Sequence, residues 1–161
     1  MMTKLQKTNQ IIVLLQKIQR KLKEAFKYRH SIPIQIRFSD MDALRHVNNS
    51  YHSQYYDVGR INYFEAVMGR TIDWSEILVV IVHIEIDFFA PILQGNNINV
   101  ESKLISFGNK SMKMHQRLID ISTNQVKSEC TTILSGYDKE SNQSIQIPQE
   151  FKDIFTSYES E

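Results

Sequence analysis

The chain has 161 residues, 42% hydrophobic and 23% charged, with five glycines, three prolines and one cysteine. The length fits one domain of about 100–200 residues, and the composition excludes disordered, collagen-like and low-complexity classes. Cys130 alone excludes an internal disulfide framework and paired-cysteine zinc or redox sites, and no apolar run approaches the ~18–20 residues of a membrane span, so a cytoplasmic globule is expected. The net charge of +1 hides two unlike parts. Residues 1–30 carry eight Lys/Arg against Glu24 alone, a net +7, whereas residues 31–161 carry eleven Lys/Arg and seventeen Asp/Glu, a net −6.

The first of these parts predicts a basic amphipathic helical extension over residues 1–30. Ile11, Leu14, Leu15, Ile18, Leu22 and Phe26 recur at helical spacing with Lys and Arg between them. The continuous apolar stretch, Ile11 to Leu15, is too short for a signal peptide. Packing on the domain or a partner subunit is the expected role. Contact with a membrane surface is a lesser alternative. A nucleic-acid arm is disfavoured because the acidic remainder would repel phosphate.

Residues 31–161 read as the domain proper. Ile32, Ile34, Ile36 and Phe38 alternate with polar residues and Pro33, which predicts an edge strand over 31–38. A polar loop follows to His46. Asn48 or Asn49 can cap a helix that runs to about Val67 and ends near Gly69, with Tyr51, Tyr55, Val58 and Phe64 along one stripe. After a loop around Asp73 and Trp74, residues 78–91 form a strand with Val80, Val82, Ile84 and Ile86 on one face. Strands over 97–107, 110–120 and 126–137 follow, joined by tight turns such as Gly108-Asn109. A short helix over 148–156 follows Pro148. Short turns make neighbouring strands antiparallel, and the long helix can bury its apolar stripe only against the sheet. The expected fold class is therefore α+β, with about five antiparallel strands and one long helix.

The chemistry-bearing residues concentrate between the first strand and the helix, in RFSDMDALRHVNNSYHSQYYDVGR, residues 37–60. A helix N-terminus offers unpaired N–H groups and a positive dipole end, which can hold a developing oxyanion. A loop carboxylate beside it can attack a carbonyl or deprotonate a water. Each residue also has an ordinary structural role. Asp40 and Asp42 can bond turn N–H groups, Asn48 and Asn49 can be caps, and Arg60 can be a surface or ion-pair residue. His30, His52, His83 and His115 carry only structural readings, and Cys130 reads as a small core residue. Nucleophile-elbow, phosphate-loop, dinucleotide and HExxH motifs are missing. An Asp-x-Asp after an apolar strand also opens magnesium-dependent phosphatases of the haloacid-dehalogenase type. Those alternate strands and helices, unlike the consecutive strands here.

Residues 37–64 resemble the opening of hotdog-fold acyl-CoA thioesterases of the 4-hydroxybenzoyl-CoA thioesterase type. The family pattern, roughly D-x-D-x-x-G-H-V-N-N before an aromatic-rich helix with an Arg, is matched by Asp40, Asp42, His46, Val47, Asn48, Asn49, Tyr51, Tyr55 and Arg60. IEIDFFAPILQG (84–95) and GNKSMKMHQRLID (108–120) resemble later strands, so the likeness covers about residues 31–138. The resemblance implies a hotdog thioesterase domain over 31–161, a curved antiparallel sheet around one long helix. It implies an acyl-CoA substrate, with an acyl-carrier-protein thioester as the other option, bound across subunits of a homodimer or homotetramer. No metal or redox cofactor is implied. It assigns Asp42 as nucleophile or general base, with His46 and Asn49 positioning loop, water or substrate, and Asn48, Tyr51, Arg45 and Arg60 toward the substrate. One position departs from the pattern. Arg45 stands where the family usually has Gly, a residue used for positive φ or close approach. That departure favours a non-catalytic acyl-thioester-binding or scaffold domain as the alternative. A hotdog hydratase is a further possibility, but its His motif after a central strand has no match here.

Overall fold

The computed structural model describes residues 27–73 and 78–160. Residues 1–26 of the basic extension expected over 1–30, and Trp74, lie outside the described residues, and His30 already belongs to the first strand. In chain order the elements are strand β1 (His30–Pro33), a 3₁₀ turn (Phe38–Asp40) and helix α1 (Asn49–Met68). Strands β2 (Val79–Phe88), β3 (Ile98–Phe107), β4 (Ser111–Asp120), β5 (Gln125–Asp138) and β6 (Gln143–Ser144) follow, and helix α2 (Gln149–Ser160) ends the order. The sheet is antiparallel in the order β1-β3-β4-β5-β2, with β6 paired to the end of β5. This architecture is that of a hotdog-like α+β fold.

Helix α1 forms where the sequence places it. Asn48 caps its start, its Oδ1 accepting the Ser50 N–H at 3.0 Å, and Gly69 ends it in the left-handed conformation at φ 65°. The buried stripe differs from the apolar reading. His52, Tyr55, Tyr56, Gly59, Arg60, Tyr63 and Val67 are buried, whereas Val58 is 51% exposed. Two polar residues, His52 and Arg60, therefore occupy core positions that a count of apolar spacing misses. Gly59 lets the helix come close to β3: a Cβ there would lie 2.6 Å from Val100 Cγ2.

Two strands also correct the sequence reading. The first is shorter than 31–38, because after Pro33 only Ile34 keeps a sheet-type bond, its N–H donating to Ile98 O at 2.8 Å. In β2 a bulge between Ile81 and His83 breaks the alternation. Ile81, Ile84 and Ile86 pair with Leu134, Thr132 and Cys130, so they share the helix-facing side, and Val82 falls out of register. The core has two parts. One, around Val47, Tyr55, Tyr56, Ile92, Val100 and Leu118, supports the start of α1. The other, around Tyr63, Leu104, Met114, Leu134 and Phe155, joins the end of α1 to α2.

Candidate active site

The segment between the 3₁₀ turn and α1 is a small hairpin. Met41 bridges Val47, Asp42 N–H donates to His46 O at 2.8 Å, and Arg45 N–H returns to Asp42 O at 3.0 Å. The hairpin is braced from outside. His46 bridges Leu93, Val47 N–H donates to Ile92 O at 2.8 Å, and Asn48 N–H donates to Asp40 O at 2.8 Å. These bonds tie down the N–H groups of Asp42, Arg45, Val47 and Asn48, which holds the hairpin in place.

The two aspartates have different surroundings. Asp40 is buried, 2% exposed, and its Oδ2 accepts the Arg37 N–H at 2.9 Å and the Tyr55 hydroxyl at 2.6 Å. Burial and that bond to Asp40 hold the Tyr55 phenol protonated, well above its ordinary value. Asp40 thus ties the loop to the second turn of α1. Asp42 is only half-buried. Its Oδ1 accepts the N–H groups of Leu44 (2.8 Å) and His46 (3.1 Å), an Asx-type turn, while Oδ2 accepts no hydrogen bond from the described residues. One oxygen orients the carboxylate and the other stays open.

Arg45 adopts φ 61°. The loop keeps the left-handed backbone that glycine would take, with an exposed arginine occupying it. At the helix start, the Ser50 N–H is taken by Asn48 Oδ1 and the Tyr51 N–H by Asn48 O at 2.9 Å. The Asn49 N–H has no partner among the described residues, so the oxyanion donor expected of the whole helix terminus narrows to that group. Asn48 and Asn49 are both exposed, and Tyr51 packs half-buried against the first core cluster.

Asp42, Arg45 and His46 therefore belong to one hairpin, which Asn48 and Asn49 join directly to the start of α1. Arg60 is not part of it. It lies eleven residues past Asn49, about 17 Å along the axis, and is 5% exposed. It donates to Asp57 Oδ1 at 2.6 Å, Thr132 Oγ1 at 3.2 Å and Gln116 Oε1 at 3.4 Å. Gln116 in turn donates to Tyr56 O and Ser102 Oγ. Arg60 thus anchors a buried polar layer between the two core clusters.

A family model for the thioesterase-like superfamily matches residues 36–155, which run from the end of the first strand through the loop, α1 and the sheet into α2. The chain belongs to that superfamily. Among solved structures, a thioesterase from Thermus thermophilus, complexed with coenzyme A and Zn, matches with a TM-score of 0.73 at 24% identity. The match covers 83% of this chain and 97% of that one. A 1,4-dihydroxy-2-naphthoyl-CoA thioesterase from Synechocystis matches with a TM-score of 0.70 at 15% identity, over 79% of this chain and 95% of that one. At such identities the likeness shows the fold. No curated protein matches the chain significantly.

In this thioesterase-like protein the brace from residues 91–93 is what sequence reasoning missed. The run ending in Pro91 reads as a strand terminator, and nothing in its spacing shows that Ile92 O and Leu93 support the Asp42 hairpin. Tyr55 carried a signal in hindsight: it stands two helical turns past the cap, on the side that faces the loop. Buried His52 is held by Ser128, its Nδ1 2.8 Å from Oγ, and stacks edge-on against Phe88 at 5.0 Å. Burial lowers its pKa to about 4, so it is neutral near pH 7. Among the described residues no group of three or more His, Cys, Asp and Glu side chains could hold a metal ion, and no helix is long and apolar enough to cross a membrane.

Proposed function

We propose that this protein hydrolyses an acyl-CoA thioester to the free acid and coenzyme A, with Asp42 as the reacting carboxylate. The observation that carries this reading is the half-open state of Asp42. Two backbone N–H groups orient it through Oδ1, and Oδ2 has no hydrogen-bond donor among the described residues. The Asn49 N–H and the positive end of α1 would stabilise the oxyanion that forms on the thioester carbonyl.

Two routes use this arrangement. As general base, Asp42 Oδ2 takes a proton from water while the water oxygen bonds the carbonyl carbon. The tetrahedral intermediate then expels the thiolate, which is protonated on release. As nucleophile, Oδ2 bonds the carbonyl carbon itself, the C–S bond breaks, and water opens the resulting anhydride. A single turnover in ¹⁸O-water separates them, since only the nucleophilic route can leave label in the Asp42 carboxyl. His46 and Asn49 position water and carbonyl, and Asn48 holds the helix start. Tyr51 supports the loop from below. Exposed Arg45 supplies positive charge for the CoA phosphates. An acyl-carrier-protein substrate would present the same thioester, and a panel containing both distinguishes them.

The proposed arrangement is the hotdog one, with the sheet curved around α1. The proposed active assembly is a homodimer or homotetramer, formed in the first instance through β2. Among the described residues this ten-residue strand pairs with β5 on one side only, and it presents Ile81, Val82, Ile84 and Phe88 with 41–61% exposure. A long apolar strand edge of this kind requires a cover, and a second copy joined edge to edge about a two-fold axis supplies one. The binding-only alternative drew on the missing glycine. With Arg45 in the left-handed conformation, that departure no longer favours it. Thiol release from a series of acyl-CoAs, compared between wild type and Asp42→Asn, tests the reading. A drop of ~10² or more in rate is expected.

A further inference from the structure

Beside the C-terminal half of α1 lies a cavity of about 610 Å³. Ile61, Phe64 and Met68 from α1, Leu134 from β5, and Phe151 and Phe155 from α2 line it, together with residues 70–73 from the segment after α1. The two α2 rings stack at 4.5 Å, and Phe155, fully buried, meets Phe64 edge-on at 5.3 Å. The α2 side of the cavity is therefore aromatic. Leu78, Val79 and Ile81 line it at the start of β2. The charged residues Asp57 and Arg60 also border the cavity, and they are paired with each other at 2.6 Å.

The cavity is remote from the same chain's Asp42, since its lining begins at Asp57, eight residues or about 12 Å past the start of α1. The direction of α1 resolves this. It starts beside Phe88, where His52 packs, and its C-terminal half lines the same cavity as Val79. In an edge-to-edge pairing of β2 the second copy runs the opposite way. Its Phe88 end, with its own α1 start and Asp42 hairpin, then lies beside this chain's cavity.

We infer that the cavity takes the hydrocarbon tail of an unbranched aliphatic acyl thioester whose carbonyl is attacked at the Asp42 hairpin of the partner subunit. The inference rests on the thioester-hydrolysis reading above. Size and chemistry both select this class. At ~30 Å³ for a water-sized group, the volume holds on the order of 15–20 methylenes. One aryl ring would leave much of that space empty and forfeit its dispersion contacts. A hydroxyaryl group would also need hydrogen-bond partners, and the lining that α1, β5 and α2 supply is apolar except for Asp57 and Arg60, which are paired with each other.

The test has two arms. In the first, kcat/KM is measured for butanoyl-, decanoyl-, tetradecanoyl- and benzoyl-CoA in wild type, Ile61→Trp and Phe151→Ala, each checked for folding by circular dichroism. A buried methylene is worth about fourfold, so decanoyl-CoA should exceed butanoyl-CoA by ~10²-fold or more. Ile61→Trp, which fills the cavity, should collapse that ratio at least tenfold. Phe151→Ala, which deepens it, should move the optimum to longer chains, a gain that misfolding does not produce. In the second arm, cis-parinaric acid binding is followed by fluorescence and competed with decanoate. Saturable binding weakened at least tenfold by Ile61→Trp is expected. A flat chain-length profile, a preference for benzoyl-CoA, or parinaric acid binding that Ile61→Trp leaves unchanged overturns the inference. The two readings fail separately. Turnover that depends on Asp42 without chain-length preference sinks the cavity assignment alone. Cavity binding without turnover on any thioester sinks the hydrolysis reading.

Discussion

Replacing Arg45 by glycine should make the protein more stable. Arg45 is exposed and holds φ at 61°, a conformation that costs a non-glycine residue roughly 1–2 kcal/mol. Its N–H is already bonded to Asp42 O at 3.0 Å, so the backbone geometry is held by the hairpin and not by the arginine side chain. Glycine would remove the steric cost. It would also loosen the unfolded chain by about 0.4–1 kcal/mol. The net gain is about 0.5–1 kcal/mol, or an increase in Tm of ~1–4 °C for a chain of this size. Urea unfolding at constant m-value measures it. Leu44→Gly is the control, being next in sequence, exposed and free of positive φ, and it should lose about 0.4–1 kcal/mol. If Arg45→Gly loses as much as Leu44→Gly, the hairpin does not impose a left-handed residue at 45 and the loop geometry described for it is wrong.

Gly59→Ala should destabilise by about 1–2 kcal/mol despite alanine's better helix propensity, because its methyl would sit 2.6 Å from Val100 Cγ2. Val100→Ala added to it should recover part of the loss in thermal unfolding. Stability should fall as pH drops from about 6.5 toward 4. The folded pKa of His52, about 4, lies below the unfolded value of about 6.5, so the unfolded chain takes up the proton first. Burial shifts His30 and His115 in the same direction. The His52 share is at most about 3 kcal/mol, and His52→Gln should reduce the difference in unfolding free energy between pH 7 and pH 5; an unchanged difference would remove His52 from the explanation. Ile84→Lys places a charge on the exposed β2 strand and should convert the proposed oligomer to monomer in sedimentation velocity. A wild type that sediments as a monomer at micromolar concentration would refute the β2 interface outright.

Element types and order were readable because each rests on local pattern. The antiparallel strands followed from consecutive alternating runs with short turns, and α1 from Asn48 at its start and Gly69 at its end. What escaped depends on contacts between distant residues. Arg60 looks like a surface or ion-pair residue, and His52 like an unplaced structural one, until Ser128, Thr132 and Gln116 arrive from the sheet to satisfy them. The β2 bulge at Val82 leaves no trace in an unbroken run of Val and Ile. Of the candidate site, the Asp-x-Asp, His, Asn, Asn run carried the position of the hairpin just ahead of α1. The division of labour between Asp40 and Asp42 was not readable, because it depends on Tyr55 reaching one carboxylate and not the other. The place of Arg60 was likewise hidden, since helical spacing alone does not say which face meets the sheet.

The most direct test of the central claim is thiol release from decanoyl-CoA by wild type and Asp42→Asn, both confirmed as folded. The asparagine keeps an oxygen for the Leu44 and His46 N–H groups, so the hairpin should survive while the carboxylate chemistry is lost. Saturable hydrolysis by the wild type and a loss of ~10²-fold or more in the variant are expected. Full activity in Asp42→Asn would contradict the assignment of Asp42 as the reacting carboxylate.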